Sequence, residues 1–415
     1  MLATRVIRQM IGVDAATVVG KIRHDEDEGC LVIAVRTRRN KKLRCGECAE
    51  ICPGYDQGRG EPRRWRSVDF GGMKCFLEGR NARVRCRAHG VIGAQVPWAR
   101  HDVRVTRAFE DTTAWLAAHA DATTVSKFLR VTWRTVTGIV ERVVGELAGR
   151  TDLLDGLRNI GIDEIAHRKG QRYITCVIDH DSGRLVWAKK GRNKDTVNAF
   201  FDDLGERRSK LLRAVTCDGA TWIQDVVKLR APKAKICLDA FHLMSWVSEA
   251  VDTVRRELWQ QFRSTANLAT GIKHTRWAVL HAPHTQNKKQ REIIEKLKAA
   301  NSPLYEAFLL KEQLRMAVML KGDKGMSAFA AWLTMCAAST LEVFRSLGVR
   351  VARYRSEIAN TMAVKLSNAR AEATNTHLRV LTRRAYGFHS PEALIAMAML
   401  TRGGLCPELP GRANW

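Results

Sequence analysis

The feature that most constrains the fold is a stretch of short strand-like runs that begins near Ile160 and then changes to alternating helices and strands. The first three runs, at about 160–165, 173–178 and 184–189, are rich in strand-forming residues and are separated by the turns HRKG and HDSG. They predict an antiparallel meander. The helical run TVNAFFDDL, the apolar run RAVTC, another helix and the run KICL follow. We therefore expect a mixed α/β sheet in this part of the chain.

Three aspartates fall on or just after these strands. Asp163 interrupts the first strand, Asp218 follows the fourth, and Asp239 follows the fifth, with His242 close behind it. A charge on a core strand is unfavourable unless it is paired. Either the first strand lies at a sheet edge with Asp163 in water, or Asp163 holds a metal ion. Each aspartate alone could be a cap or turn residue, but the joint pattern is typical of a ribonuclease-H-like fold with catalytic carboxylates at its strand ends.

The charge balance indicates a polyanionic partner. The 415 residues include 69 Lys and Arg against 43 Asp and Glu, which gives a net charge of +26 and favours a nucleic acid. The basic excess is smallest over residues 151–240, which contain the candidate acids, and larger on both sides. This distribution is expected if DNA is held from both sides of an acidic, metal-binding centre. No apolar stretch is long enough to span a membrane and no signal-peptide layout is present, so we expect a cytoplasmic, nucleoid-associated protein.

Two short motifs predict a zinc site. CGEC contains Cys45 and Cys48, and CRAH contains Cys86 and His89 at the same spacing. A tetrahedral structural Zn²⁺ needs two such ligand pairs, so we assign one zinc ion to these four residues. Cys52 and Cys75 are alternative ligands, and a cluster of idle thiols is the alternative to zinc. The surrounding basic residues, which would suit phosphate contact, are Arg63, Arg64, Arg66, Arg83, Arg85 and Arg87.

Residues 105–150 predict a helix-turn-helix. A first helix is expected over about 106–119, a short second one over TTVSKFL with Thr123 or Thr124 as its N-cap, and a longer third one with Thr132 as its N-cap. The third helix would enter the major groove of DNA. The side chains that it would present are Thr132, Arg134, Thr135 and Thr137. Three-helix clusters are also common structural modules, and the charge of the whole chain favours the DNA-binding interpretation.

From about 240 to 385 nearly the whole pattern is helical. The tryptophans of this region, expected mainly in its core, are Trp246, Trp259, Trp277 and Trp332. In the helix predicted near residue 378, the inward side is formed by Thr374, Leu378, Leu381 and Ala385. A different side carries Glu372, Thr376, Arg379 and Arg383. An acid followed by two arginines on one side suits a metal ion at one end and DNA phosphates along the rest.

Four stretches resemble the ISL-three family of bacterial insertion-sequence transposases. They are GIDEIAHRKGQRYITCVIDHDSGR, VTCDGATWI, KICLDAFHLM and SNARAEATNTHLRVLTRRAYGFHSPEALIAM. The zinc ribbon and the helix-turn-helix also match in order, so the resemblance covers nearly the whole chain. It implies a catalytic triad of Asp163, Asp218 and Glu372. The family often has Gly after the glutamate, where this chain has Ala373.

The expected fold is a multidomain α+β architecture with a zinc ribbon, a helix-turn-helix and a ribonuclease-H-like α/β catalytic core that carries a large all-helical insertion. The insertion is inferred because the gap from Asp218 to Glu372 is nearly three times the gap from Asp163 to Asp218. The expected boundaries are 1–100 for the zinc-ribbon DNA-binding domain, 101–155 for the helix-turn-helix, 156–244 for the first part of the core, 245–355 for the insertion, 356–400 for the C-terminal part of the core, and 401–415 for a tail.

The resemblance implies a DDE transposase, which binds the terminal inverted repeats of an insertion sequence and catalyses metal-dependent cleavage and transfer of DNA strands. Three carboxylates suit two Mg²⁺ or Mn²⁺ ions, which stabilise the attacking and leaving oxygens at phosphorus. Arg379 and Arg383 are expected to contact DNA, and a homodimer is expected on the paired DNA ends. The alternatives are a non-catalytic DNA-binding regulator and a nuclease that cuts without joining.

Overall fold

A computed structural model describes residues 2–58, 61–168, 172–320, 322–364, 369–385 and 388–410. Within these ranges, the structure describes the side chains of all residues except 2–4, 168, 266–269, 369–372, 375 and 384. The chain divides into two units, of which the first is Met1–Leu153 with Val380–Trp415 and the second is Leu154–Arg379. No helix of the described ranges is both long and apolar enough to cross a membrane.

The first unit begins with two small sheets and four helices. Its elements are α1 (Leu2–Met10), β1 (Thr17–Asp25), β2 (Cys30–Thr37), β3 (Gly54–Asp56), β4 (Arg63–Phe70), β5 (Met73–Gly79), β6 (Arg83–Cys86), β7 (Gly90–Gly93), α2 (Arg107–His119), α3 (Ala122–Leu129) and α4 (Trp133–Ala148). The order in the larger sheet is β1-β2-β5-β4, and the smaller sheet has the order β3-β6-β7. The larger sheet buries Ile33, Trp65, Leu77 and Trp98 in a core of its own.

The three helices of the helix-turn-helix lie where the sequence predicts them, with one corrected cap. The Thr132 hydroxyl accepts a hydrogen bond from the Thr135 N–H at 3.2 Å, so Thr132 caps α4 as expected. The predicted cap of α3 at Thr123 or Thr124 is wrong. Asp121 is the N-cap, because its carboxylate accepts the Thr124 N–H at 3.0 Å. A carboxylate at this position also interacts favourably with the helix dipole, which a threonine does not.

The second unit contains a five-stranded sheet. Its first elements are β8 (Asn159–Arg168), β9 (Arg172–Asp179), β10 (Leu185–Lys190), α5 (Lys194–Leu204), α6 (Glu206–Ser209), β11 (Ala214–Cys217), α7 (Thr221–Arg230) and β12 (Lys235–Leu238). The order is β10-β9-β8-β11-β12. The first three strands form the predicted antiparallel meander, and β11 runs parallel to both β8 and β12. Since β8 is the central strand, the alternative that Asp163 lies on a sheet edge is wrong.

A long run of helices follows the sheet. It comprises α8 (Ala240–Phe262), α9 (Ala266–His274), α10 (Arg276–Leu280), α11 (Lys288–Ala299), α12 (Pro303–Leu320), α13 (Gly322–Ala338), α14 (Glu342–Ala352), α15 (Arg355–Val364) and α16 (Ala369–Arg384). Trp332 is buried in their core, where its indole N–H donates to the Leu310 carbonyl at 2.8 Å. Trp259 and Trp277 are 38% and 56% exposed, so the expectation of a core position is wrong for these two.

Helix α15 packs along the outer strand of the sheet. The Asn360 side-chain amide donates to the Ile236 carbonyl at 2.9 Å, and the Thr361 hydroxyl donates to the Leu238 carbonyl at 2.8 Å. These two side chains satisfy carbonyl groups of β12 that no further strand pairs with. They also fix the end of the strand immediately before Asp239.

Helix α16 follows the predicted pattern only in part. Thr374, Leu378 and Leu381 are buried and Arg379 is exposed, as expected. Ala385 is exposed, because the helix ends at Arg384 and the next residue no longer continues the buried side. The last helix, α17 (Pro391–Arg402), packs against α4 and α2 of the first unit. The segment 356–400 is thus divided between the two units.

Candidate functional site

The three strand-end aspartates lie level with one another on neighbouring parallel strands. Ala214 of β11 pairs with Asn159 of β8 on one side and with Lys235 of β12 on the other. The residues four positions further along the three strands are Asp163, Asp218 and Asp239. Residues paired in a parallel ladder point to the same face, and neighbouring strands are about 4.8 Å apart. The sheet therefore collects three carboxylates on one face, at the carboxyl ends of its parallel strands.

Asp163 lies on the central strand β8 and is half-buried. Its carboxylate accepts the Glu164 N–H at 2.8 Å. Burial raises the pKa of Asp163 above its usual value, and the charges of Asp239 and Asp218 raise it further, whereas His242 lowers it. Burial and like charges both disfavour the ionised form. A divalent cation among these carboxylates would relieve both effects, so the donor set fits a hard metal ion.

Glu164 is a buried acid whose role the sequence did not indicate. Its side chain is only 4% exposed, and the nearest cation in the described part of the chain is Arg192, whose Nε lies 3.8 Å from Oε1. Among the described residues, no group donates a hydrogen bond to that oxygen. Burial and the charge of Asp218 raise the pKa of Glu164 to about 7. A long run of strand-forming residues that contains two consecutive acids was the signal that could have drawn attention to both.

Asp239 and His242 lie at the start of α8. The Asp239 carboxylate accepts the Phe241 N–H at 2.9 Å, and the imidazole Nε2 of His242 lies 3.9 Å from the other carboxylate oxygen. The backbone N–H of Asp239 donates to the Cys217 carbonyl at 3.0 Å, which continues the parallel ladder one residue beyond β12. The sequence marked Asp239 as a strand-end acid without giving it a role. The ladder brings it next to Asp218.

The carboxylate cluster is open. Among the described residues, the ligand atoms of Asp163, Asp218 and Asp239 do not all lie within 4.8 Å of one another. Glu372 lies in α16, but its side chain is outside the described residues, so the predicted third member of the triad has a position in the fold and no described geometry. The structure therefore brings together two of the three residues assigned by resemblance.

The predicted zinc ligands form a compact cluster in the first unit. The Sγ atoms of Cys48 and Cys86 are 3.7 Å apart, and the Nδ1 atom of His89 lies 3.6 Å from Cys45 Sγ and 3.5 Å from Cys86 Sγ. Ligands of a tetrahedral zinc ion at ordinary bond lengths are about 3.8 Å apart for two sulfurs and about 3.5 Å apart for sulfur and nitrogen. The four ligand atoms have the spacing that zinc requires.

The alternative ligands differ in position. Cys75 is fully buried in β5, in the core with Trp65, and the compact cluster does not include it. Cys52 is half-buried and interacts with the thiol of Cys86.

The backbone N–H and the ring of His89 lower the pKa of the Cys86 thiol to about 6, which favours the thiolate that binds a metal.

A second group of metal-binding residue types already has a cation. Asp25, Glu28 and Cys30 lie within 4.8 Å of one another. The guanidinium of Arg64 donates to Asp25 at 2.9 Å and to Glu28 at 3.1 Å, and its Nε donates to Glu78 at 3.0 Å. Arg23 also pairs with Asp25 at 3.3 Å and with Glu78 at 3.1 Å, so two arginines already serve as cationic partners of these acids.

The start of α4 presents the residues expected to read DNA. Thr132 and Arg134 are exposed, and Thr135 is half-buried. The Arg134 guanidinium lies 5.3 Å from the ring centroid of Trp133, which is itself 47% exposed. Thr137 is half-buried and donates to the Trp133 carbonyl at 3.1 Å, so its hydroxyl already has an acceptor within the helix.

The turn before α4 is held by the strands of the first unit. Arg130 adopts a left-handed conformation with φ 55° and ends α3. Its side chain pairs with Asp69 and donates to the Gly72 carbonyl at 3.3 Å.

The other two residues expected to contact DNA, Arg379 and Arg383, are both exposed on α16.

Three family models match the chain in succession. The zinc-finger model of the IS204/IS1001/IS1096/IS1165 transposases matches residues 41–89, and the helix-turn-helix model of transposase family ISL3 matches residues 94–144. A DDE transposase model of the same family matches residues 160–398, which is more than half of the chain. The first match supports a bound zinc ion, and the second supports DNA binding. The non-catalytic regulator is not favoured, because the third match covers the catalytic region.

Two relatives that are themselves transposases match the chain over more than nine-tenths of their own length. The chain is 41% identical to the transposase for insertion sequence element IS1557 of Mycobacterium tuberculosis over 100% of this chain and 99% of that protein. It is 24% identical to the transposase for insertion sequence element IS1001 of Bordetella parapertussis, over 90% of this chain and 92% of that protein. From the carboxylate cluster, the cysteine and histidine cluster, the matched models and these relatives, we conclude that the chain belongs to the ISL3 (ISL-three) family of insertion-sequence transposases and is a DDE-type DNA transposase.

Proposed function

We propose that Asp163, Asp218 and Glu372 are the catalytic carboxylates and that they hold two Mg²⁺ or Mn²⁺ ions during cleavage and transfer of DNA strands. The observation that carries this proposal is the level register of Asp163 and Asp218 on the two central parallel strands. Burial makes the ionised form of Asp163 unfavourable without a cation nearby. Glu372 enters through its match to the family motif and its position on α16.

The sheet order supports a ribonuclease-H-like core. An antiparallel meander of three strands is followed by two strands parallel to the first, with one carboxylate on the first strand and another directly after the fourth. The helices from α8 to α14, between the sheet and α15, correspond to the proposed insertion. The described part of the chain between β12 and Val364 contains no strand, which agrees with an all-helical insertion.

The geometry indicates how the chain would serve the reaction. Bound divalent ions supply charge stabilisation for the attacking and leaving oxygens of an in-line displacement at phosphorus. Two ligand atoms on opposite sides of one Mg²⁺ are about 4.2 Å apart. Among the described residues, the ligand atoms of the three aspartates do not all lie within 4.8 Å of one another. This wider spacing suits two ions with bound waters better than one fully enclosed ion. Asp163 lies on β8 and Asp218 directly follows β11, so the sheet would hold these two ligands in fixed positions for bound ions.

The test uses purified full-length protein and labelled DNA that carries an end of the insertion sequence. Wild type with Mg²⁺ is expected to cleave at the end and to join the released 3′ end to a second DNA. Asp163→Asn, Asp218→Asn and Glu372→Gln should each lower both activities by about a thousandfold or more, because each removes a ligand of the ions. Glu206→Gln, a change of an exposed acid on α6, is the matched control and should cleave normally.

Three outcomes would redirect the proposal. Cleavage that persists in Glu372→Gln but disappears in Glu357→Gln or Glu392→Gln would move the third ligand to one of those residues. Full activity in all three triad variants would refute the proposed centre. Cleavage without joining by wild type would favour the nuclease alternative.

We further propose that Cys45, Cys48, Cys86 and His89 bind the zinc ion, and that α4 reads the terminal repeat. Thr132, Arg134 and Thr135 would contact base edges, and Arg379 and Arg383 would contact phosphates. Arg134→Ala should reduce the preference for repeat over random DNA by about tenfold or more. Equal weakening on both DNAs would identify Arg134 as a phosphate contact. A homodimer that pairs two DNA ends is also proposed, and the mass of the complex with DNA measures it.

A further inference from the structure

A single turn of the helical region contacts the loop that carries Asp218. This turn, residues 350–355, comprises the end of α14, the two residues that join it to α15 and the first residue of α15, and is named the arginine turn. Its Tyr354 hydroxyl donates to the carbonyl of Gly219 at 2.8 Å, across 135 positions of sequence. Gly219 directly follows Asp218. The arginine turn is therefore connected by one hydrogen bond to the residue next to a proposed metal ligand.

Close packing strengthens this connection. The ring of Tyr354 lies 5.4 Å from the ring of Trp246 on α8. A Cβ atom at Gly219 would lie 2.7 Å from the Trp246 ring and 3.3 Å from the Tyr354 oxygen, so only glycine fits at this position without movement of its neighbours. The loop after β11 is thus enclosed by one aromatic side chain from α8 and one from the arginine turn.

The arginine turn carries three exposed cations in six residues. They are Arg350, Arg353 and Arg355. Within the part of the chain that the structure describes, none of the three forms an ion pair with a carboxylate. The guanidinium of Arg350 lies 4.1 Å from the ring centroid of Trp246, which orients it without neutralising it.

Other arginines of the same helical region have acidic partners. Arg345 on α14 pairs with Glu342, Arg315 on α12 pairs with Glu312 at 2.6 Å, and Arg255 on α8 pairs with Asp252 at 2.8 Å. Arg355 has the opposite situation, because it is the first residue of α15, where the helix dipole disfavours a positive charge. The three arginines of the turn, which form no ion pair among the described residues, are therefore available to an anionic partner.

We propose that the arginine turn binds the DNA backbone beside the phosphate that is cut. The inference rests on the proposed catalytic role of Asp218 and adds a substrate contact to that site. The planar fork of donors on arginine matches a phosphate oxygen pair, and three unpaired forks in one turn suit consecutive phosphates of one strand. The Tyr354–Gly219 hydrogen bond sets the distance between these phosphates and the carboxylates.

The test measures binding of the full-length protein to DNA ends without Mg²⁺, as a function of salt. In Arg353→Ala/Arg355→Ala, affinity at 0.1 M salt should fall by about tenfold for each lost phosphate contact, and the salt dependence should decrease by about one unit for each. Arg315→Ala and Arg345→Ala, which remove paired arginines, are matched controls and should bind like wild type. Melting temperatures identify any variant that fails to fold, and Arg353→Gln/Arg355→Gln then replaces it.

Location is tested with DNA whose phosphates near the cut are neutral methylphosphonates. For wild type, neutral phosphates beside the cut should weaken binding. Neutral phosphates ten base pairs away lie outside the proposed contact with the arginine turn, so any loss that they cause should be the same in wild type and in the double variant. For the double variant, neutralising the phosphates beside the cut should cause no further loss, because the contact is already absent. Equal additional losses in wild type and variant would overturn the proposal.

Tyr354→Phe separates position from charge. It retains all three arginines and removes only the hydrogen bond to Gly219, so affinity for DNA should remain within about twofold while the rate of Mg²⁺-dependent cleavage falls about tenfold. Unchanged cleavage would overturn the positioning role. If wild type itself does not cleave, the proposed function fails while the binding experiments still decide the arginine turn. If wild type cleaves and the arginine variants bind normally, the inference alone fails.

Discussion

The two units both bury charged or ionisable groups, but they neutralise them differently. In the first unit, Glu110 on α2 is fully buried and pairs with Arg100 and Arg142, each at 2.8 Å. In the second unit, the Glu164 side chain is almost as buried, yet its nearest cation among the described residues is 3.8 Å away, and its neighbours Asp163 and Asp218 are also acids. The first arrangement is neutralised by close ion pairs, whereas among the described residues Glu164 has one arginine at 3.8 Å and the acids Asp163 and Asp218 beside it.

This difference separates structural charges from functional ones. A buried acid with arginine partners contributes to a fixed packing arrangement, and its loss leaves an uncompensated cation. A group of acids that repel one another stabilises nothing by itself and gains favourable energy only when a cation binds. The zinc cluster of the first unit is intermediate, because its thiolates also require a cation but its ligands are close-packed. Three changes distinguish these cases.

The largest effect on folding is expected at the zinc cluster. In Cys45→Ser the ribbon should lose its zinc and unfold, because binding of a structural zinc contributes roughly 10 kcal/mol or more to small zinc-bound modules. Zinc content by mass spectrometry and protease sensitivity of residues 41–98 measure this. Cys52→Ser, beside the cluster, is the control and should retain one zinc ion. Loss of zinc in Cys52→Ser together with retention in Cys45→Ser would show that the ligand set is wrong.

The next effect compares the two buried acids directly. Glu110→Ala leaves Arg100 buried with one fewer partner and should lower the free energy of unfolding by about 3–5 kcal/mol. Asp163→Asn removes a repelling charge and should leave stability unchanged or slightly higher. Urea denaturation without Mg²⁺ measures the free energy of unfolding of both variants. Glu141→Ala, which changes an exposed residue on α4, is the control and should shift this free energy by less than about 0.5 kcal/mol. A large fall in the free energy of unfolding of Asp163→Asn would show that Asp163, like Glu110, stabilises the fold.

The smallest effect is a pH dependence of the second unit. Because the pKa of Glu164 is raised from 4.5 to about 7, the folded chain retains a proton between these values that the unfolded chain releases. The free energy of unfolding should therefore fall as pH rises from 5 to 7, by at most about 1.4 kcal/mol per pH unit from this group. Glu164→Gln should remove this component, whereas Glu249→Gln, an exposed change on α8, should not.

Mg²⁺ provides the corresponding check in the same experiment. A cation near Glu164 lowers its pKa, so saturating Mg²⁺ should flatten the pH dependence of wild type. Ca²⁺, which also prefers carboxylate oxygens, should have the same direction of effect. A pH profile that Mg²⁺ leaves unchanged would indicate that no ion binds near this group.

Features set by short spacing were predictable from the sequence. The proposed zinc ligands form two pairs in which the second residue follows the first by three positions, so the two side chains of each pair lie close together whatever the rest of the fold. The cap of α4 at Thr132 and the meander of β8, β9 and β10 also depend on neighbours in sequence. The cap of α3 was misassigned by two or three residues because Asp121, Thr123 and Thr124 all have capping side chains.

The sequence by itself indicated the family through the resemblance of whole motifs. It also indicated the proposed zinc ligand pairs and the acids at the strand ends, because motif spacing and periodicity are local properties. Only the tertiary structure decided that β8 is central, that Asp239 is level with Asp163 and Asp218, and that Glu164 is buried. It also decided that Tyr354 contacts Gly219. Strand order and register depend on contacts between residues far apart in the chain, and the sequence pattern of one strand does not specify its neighbour.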